Sequence, residues 1–226
     1  AGRATGRNRL DWPMGDFADR VGAGSVVVTP PPGVTPLGAS LPASAAGEAV
    51  TRALDLGPFS DHIPLQPVAL GGRMAYSFDG EVIRLESSEV ATADTFVAFS
   101  GATAWGERSK IGFQVTSTNW QESDRLLAGL MTAFGAHTRA IPIDGVGRFD
   151  GVLLGAFRRP RIEGRFEGQA IRAWNVTWGE VDGDFVVENQ YANVSRAVVL
   201  DGVSRMEVSG QFSLGFPRAD GGEEID

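Results

Sequence analysis

His62 and His137 are the only imidazoles in the chain, and neither stands in a His-Glu-x-x-His frame that would build a helical zinc site. A Ser–His–acid relay needs a nucleophile raised on a strained turn, and no Gly-x-Ser-x-Gly elbow supplies one. Both histidines therefore read as structural. Gly145, Gly147 and Gly151 miss the Gly-x-Gly-x-x-Gly spacing of a dinucleotide loop, and no Gly-Lys-Ser/Thr phosphate loop occurs. With no cysteine, thiol catalysis, disulfides and Cys-based zinc sites are excluded. Asp79, Asp150, Asp182 and Asp201 each precede a glycine, the pairing that favours tight turns, so turn formation accounts for them. A glycosidase carboxylate pair is recognised in space rather than by spacing, and the sequence leaves that reading open. Asn175-Val-Thr and Asn193-Val-Ser match the glycosylation triplet, and Trp174, Trp178 and Tyr191 are candidates for a sugar-stacking surface. The expectation is a non-catalytic protein without cofactor or metal.

The elements that would carry such residues are mostly strands. The 226 residues are 42% hydrophobic and 21% charged, which suits a folded chain, and 30 glycines favour turns over long helices. A net charge of −8 argues against nucleic acid as a partner, because counterion release needs a cationic surface. The densest basic cluster, Arg158, Arg159, Arg161 and Arg165, reads as solvated strand positions. Residues 1–72 are expected to be a Pro/Gly-rich irregular segment with an apolar cluster at Leu10, Trp12, Met14 and Phe17 and one short strand, Gly24–Thr29. Pro30-Pro-Pro ends that strand, prolines recur from Pro36 to Pro67, and a short helix is expected at about 45–55, capped by Ser44.

From residue 73 the period changes to two. Arg73–Phe78 and Glu81–Glu86 flank Asp79-Gly80, a two-residue hairpin signal. Thr95–Phe99 follows, then Ile111, Phe113 and Val115 alternate with small or polar partners. Leu126, Leu127, Leu130, Met131 and Phe134 recur at helical spacing and predict a helix over about 122–134, started by Asn119 or Ser123 and ended by Gly135. Beyond 143 the strands resume at Phe149, Ile162 and Phe166, Trp174, Val176 and Trp178, Phe185 and Val187, with turns expected at Asp150-Gly151, Asp182-Gly183 and Asp201-Gly202. Gly80-Glu-Val-Ile-Arg84 and Gly168-Gln-Ala-Ile-Arg172 share a frame that hints at repeated β units.

The order Phe96–Gly101, Ile111–Ser117, Asp124-Arg-Leu-Leu127, then Asp144-Gly-Val-Gly-Arg-Phe-Asp-Gly151 and Arg159-Pro-Arg-Ile-Glu-Gly-Arg-Phe166, resembles the repeat region of the TamB-type translocation and assembly module family. The resemblance covers about residues 73–218. It implies an all-β fold, an elongated antiparallel, meandering sheet curled into a groove. It also implies a place in the bacterial periplasm, inner-membrane anchoring and an outer-membrane Omp85-type partner in the full-length protein. Outer-membrane protein assembly and inter-membrane lipid transport are the implied work. Both chain ends read as cuts, with 219–226 an acidic tail, so the expectation is an interior piece.

A groove for acyl chains needs strands with one consistently apolar parity. Ile111, Phe113, Val115, Phe149, Ile162, Phe166, Trp174, Val176, Phe185 and Val187 are the residues expected to line it. The competing expectation is a closed β-sandwich or solenoid that binds glycan or protein.

Overall fold

The computed structural model describes residues 2–39, 68–133, 143–173, 176–189 and 191–213. It contains strands β1 (Arg3–Asp11), β2 (Val21–Thr29), β3 (Gly71–Asp79), β4 (Val82–Ala91), β5 (Thr95–Ala104) and β6 (Arg108–Ser117). Helix α1 (Trp120–Ala133) follows, then β7 (Ile143–Ala156), β8 (Arg159–Ala173), β9 (Val176–Glu188), β10 (Tyr191–Asp201) and β11 (Ser204–Ser213). The strands form one antiparallel sheet in plain sequence order, β1 to β11, and it does not close into a barrel. Adjacent strands lie about 4.8 Å apart, so the sheet extends about 48 Å along its hydrogen-bonding direction.

The order is a meander because short turns join most strands. Gly80 and Gly202 take positive φ, as a two-residue turn between antiparallel strands requires. The expected irregular segment over 1–72 does not extend to residues 3–29. These form a nine-residue-per-strand hairpin in full register, and β2 continues the sheet onto β3. The alternation that would reveal β1 is missing because every one of its side chains is exposed. The helix expected near 45–55 lies outside the described residues, as do both histidines. The second helix is present two residues earlier than expected.

Two of the expected turns are strand interior instead. Asp150-Gly151 sits in the middle of β7 and Asp182-Gly183 in the middle of β9. The reason is spatial. A Cβ on Gly151 would lie 2.4 Å from the Phe149 ring, and one on Gly183 would lie 2.6 Å from the Ala197 side chain. These glycines make room across the sheet rather than bend the chain.

Register shifts interrupt several ladders, at Arg73/Tyr76, Leu85/Ser88, Asp144/Val146, Gly168/Ile171 and around Val194. Such bulges raise the local twist and bend a sheet. The Ser88 hydroxyl repairs one of them, accepting from the Ala75 amide at 3.2 Å and donating to the Glu86 carbonyl at 2.8 Å. Gly145 (φ 130°) and Ala170 (φ 51°) face each other at another.

Candidate functional site, an apolar sheet face

Residues directly opposed across antiparallel strands share a face. The ladder pairings can therefore be followed from edge to edge. One row starts at Asn8, crosses Gly24, Tyr76, Leu85 and Gly101, and reaches Ile111. It continues through Leu153, Ile162, Val187 and Ala192 to Phe212. A second row runs beside it from Ala4 through Val97, Val115, Phe149 and Phe166 to Val208. Between them, Phe99, Phe113, Gly151, Gly164 and Phe185 form a third. Through the central strands these three rows hold only apolar residues and glycine, with hydroxyls at the strand ends of β5 and β6, Thr95 opposite Ser117 and Thr103 opposite Ser109.

Of the residues expected to line a groove, Ile111, Phe113, Val115, Phe149, Ile162, Phe166, Phe185 and Val187 all sit on this one face. Val176 stands at the start of β9 and is 46% exposed, beyond the continuous rows. Trp174 lies outside the described residues. Leu153, Leu85 and Phe99 belong to the face as well and were missed. Leu153 hides inside the run Val152-Leu-Leu154, which shows no alternation. The parity becomes readable only once Ile111 and Ile162 are known to flank Leu153.

The face is not uniformly deep. Ile111, Leu153 and Ile162 are buried, with Leu85, Phe113, Phe149, Phe157 and Val187 packed around them. Leu85 reaches this cluster from β4 because Gly101, between it and Ile111, has no side chain. The same device recurs with aromatic rings. Phe78 lies over Gly22, Tyr76 over Gly24, Phe149 over Gly151 and Gly164, and Phe166 over Gly168. An aromatic laid sideways over a glycine, on the neighbouring strand or two residues along its own, keeps the face low while still covering backbone. Phe113 and Phe149 stack at 5.7 Å, and Phe166 meets Phe185 edge-on at 6.2 Å.

The reverse face is charged. Arg165 bonds Asp182 at 2.7 Å and Glu167 at 3.3 Å, Arg161 bonds Glu163 and Glu188, and Arg148 bonds Asp150. Asp150 also accepts from the Gln114 amide at 2.8 Å. The Arg148 hydrogen bond, more than any other influence, holds the Asp150 carboxyl below its ordinary range. These pairs are about half exposed, so each contributes little to stability. Their effect is to keep this face wet. At one end of it Pro30, Pro36 and Leu37 line, together with Gly71, Ala91 and Phe96, an open crevice of about 410 Å³.

At the turn ends of β1, β2, β5 and β6 the apolar face runs out into exposed aromatics. Trp12 meets Phe17 edge-on at 5.7 Å, and the Arg20 guanidinium sits 5.0 Å from the Phe17 ring and 5.4 Å from Trp105.

Helix α1 lies on the apolar face. The Asn119 side chain caps it, accepting from the Glu122 amide at 3.2 Å. Its first turn is fastened by hydroxyls: Thr95 to Ser123 at 2.8 Å, Ser123 to Ser117 at 2.6 Å and Thr95 to the Glu122 carboxylate at 3.0 Å, with Thr92 bonding the same carboxylate. Trp120 packs edge-on against Phe166 at 5.0 Å.

Among the described residues no group of His, Cys, Asp and Glu could hold a metal ion. Of the residues expected for a sugar-stacking surface, Trp178 and Tyr191 lie apart: Trp178 donates to the Ala173 carbonyl near the start of β9, while Tyr191 pairs with Glu188 at its far end. No helix among the described residues is long and apolar enough to cross a membrane. No protein family, curated protein or solved structure matches the chain.

Proposed function

We propose that this chain is a non-catalytic section of a β-groove conduit that carries lipid acyl chains through the bacterial envelope. The observation that carries the reading is the pair of unbroken rows on one face of an open sheet, with ion pairs on the other. Such a face binds a chain by burial alone, at about 0.8 kcal/mol per CH₂ group, and needs no specific polar contact. The resemblance to TamB-type proteins supports the same assignment. It adds a periplasmic location, inter-membrane lipid transport or outer-membrane protein assembly, and an Omp85-type partner for the full-length protein.

Phe113 and Gln114 are sequence neighbours on opposite faces, which makes a matched test. A photo-crosslinking side chain is placed at each position in turn, in cells, and lipid adducts are sought by mass spectrometry. Adducts at Phe113 and not at Gln114 are expected. Equal labelling, or none at Phe113 in folded protein, removes the conduit reading. A second reading draws on the low exposure of Ile111, Leu153 and Ile162, each 7–8% exposed. It takes this stretch as a closed core of a protein-binding module, and an unlabelled Phe113 favours it.

A further inference from the structure

We propose that helix α1 is a plug, docked across the apolar face in the resting state and lifted when a lipid chain occupies that face. This regulation rests on the conduit reading above. The first turn of α1 touches Thr95 on β5, Ser117 on β6 and Phe166 on β8, all on the apolar face. It thus bridges four adjacent strands, about 14 Å of the sheet. The Trp120 ring sits on Phe166, in the row that also holds Val115 and Phe149, so an acyl chain lying along that row meets the docked helix there.

The seat differs from the rest of the face in a way that suits a removable part. Under the helix the row reads Thr95, Ser117, Gly147 and Gly168, where neighbouring rows carry Val, Ile, Leu and Phe. Thr95 and Ser117 are 2% and 0% exposed, held by hydroxyl contacts to Ser123 and Glu122 instead of by apolar packing. Hydroxyls regain water when uncovered, so parting these surfaces costs less than parting two apolar ones. Docking also leaves two buried donors without acceptors, the Trp120 indole N–H and the Arg125 Nε–H. Burial is the leading influence on Arg125 and lowers its pKa, against the opposing pull of Glu122, Asp124 and Asp144. Both groups would be hydrated in the lifted state, which places that state within reach of the docked one.

The chain has no cysteine, so an introduced thiol is the only one. In S117C the new thiol sits beneath the helix. Its labelling by a maleimide is followed against urea concentration. Lifting gives a labelling rate about tenfold or more above that set by global unfolding, with a weak urea dependence. A rate and urea slope equal to those of global unfolding overturn the proposal; S123C gives the same readout if S117C folds poorly. The second arm joins α1 to β5 in T95C/S123C and measures movement of pyrene-labelled phosphatidylcholine between vesicles. Oxidation is expected to slow transfer about tenfold, and reduction to restore it. Equal transfer in both states overturns the plug. No transfer by any form, with fast S117C labelling, removes the conduit reading and leaves the lifting helix standing.

Discussion

A methyl group on Gly164 would lie 2.3 Å from the Asp150 carbonyl and 2.7 Å from both the Gly151 Cα and the Phe149 ring. Two of those contacts are backbone and cannot turn aside. Gly164→Ala is therefore expected to destabilise the sheet by about 1–3 kcal/mol in urea unfolding. Gly202 (φ 59°), with nothing within 4 Å, is expected to lose only about 1 kcal/mol as alanine, the left-handed penalty alone. On the reverse face, Asp150 has a folded pKa below its unfolded one. The group then adds stability above the unfolded value and loses it as pH falls through the folded one. Asp150→Asn should flatten the acid limb of a stability–pH curve, by no more than about 1 kcal/mol because the pair is half exposed. The two glycine roles explain what the sequence hid. Asp150-Gly151 and Asp201-Gly202 are the same dipeptide, one in mid-strand under a ring and one in a turn. The dipeptide itself does not separate them; the difference is the preceding Phe149 ring, in place of Leu200, and the β8 backbone that Gly151 faces.

The helix was legible because its capping and period are local: Asn119 precedes Glu122 by three, and Leu126 and Leu127 follow. Ser123, the other candidate cap, is one turn inside and points at Ser117 and Thr95. Asn119→Ala is expected to cost about 0.5–2 kcal/mol of helix stability, seen as faster labelling of S117C with no change at β7 or β8. Its seat was not legible, since Thr95 and Ser117 read as ordinary polar strand positions until the register sets them side by side. The apolar strands were legible as a parity, which is why Phe113, Phe166 and Val187 could be named for one face. Glutamate at Phe113 or Val187, both half-buried, is expected to abolish lipid adducts while circular dichroism keeps its β signal. Glutamate at Phe166, which is buried between Trp120 and Phe185, should in addition lower the melting temperature. Strand β1 shows the limit of this reading, because an edge strand with every side chain in water carries no period.

Strand contacts run between sequence neighbours from β1 to β11, so stability propagates along the sheet as it does in repeat proteins. The buried side chains are not spread evenly along that line. Ile111, Leu153, Ile162 and Phe166 belong to β6–β8, whereas β1 has no buried residue and β11 has none among its described side chains. Among the described residues β1 and β11 each pair on one side only, and such edges fray first. Amide exchange should accordingly be slowest in β7 and β8 and rise toward both edges, with β1 opening at free energies well below the global value. Among the described residues only helix α1 is layered on the apolar face, so the middle of the open sheet is held chiefly from that side. The exchange map therefore tests the architecture as a whole. A graded profile means that the central strands anchor a sheet whose edges open independently. A flat profile from β1 to β11 means that the whole sheet opens as one unit, and then the apolar face acts as a single core from edge to edge.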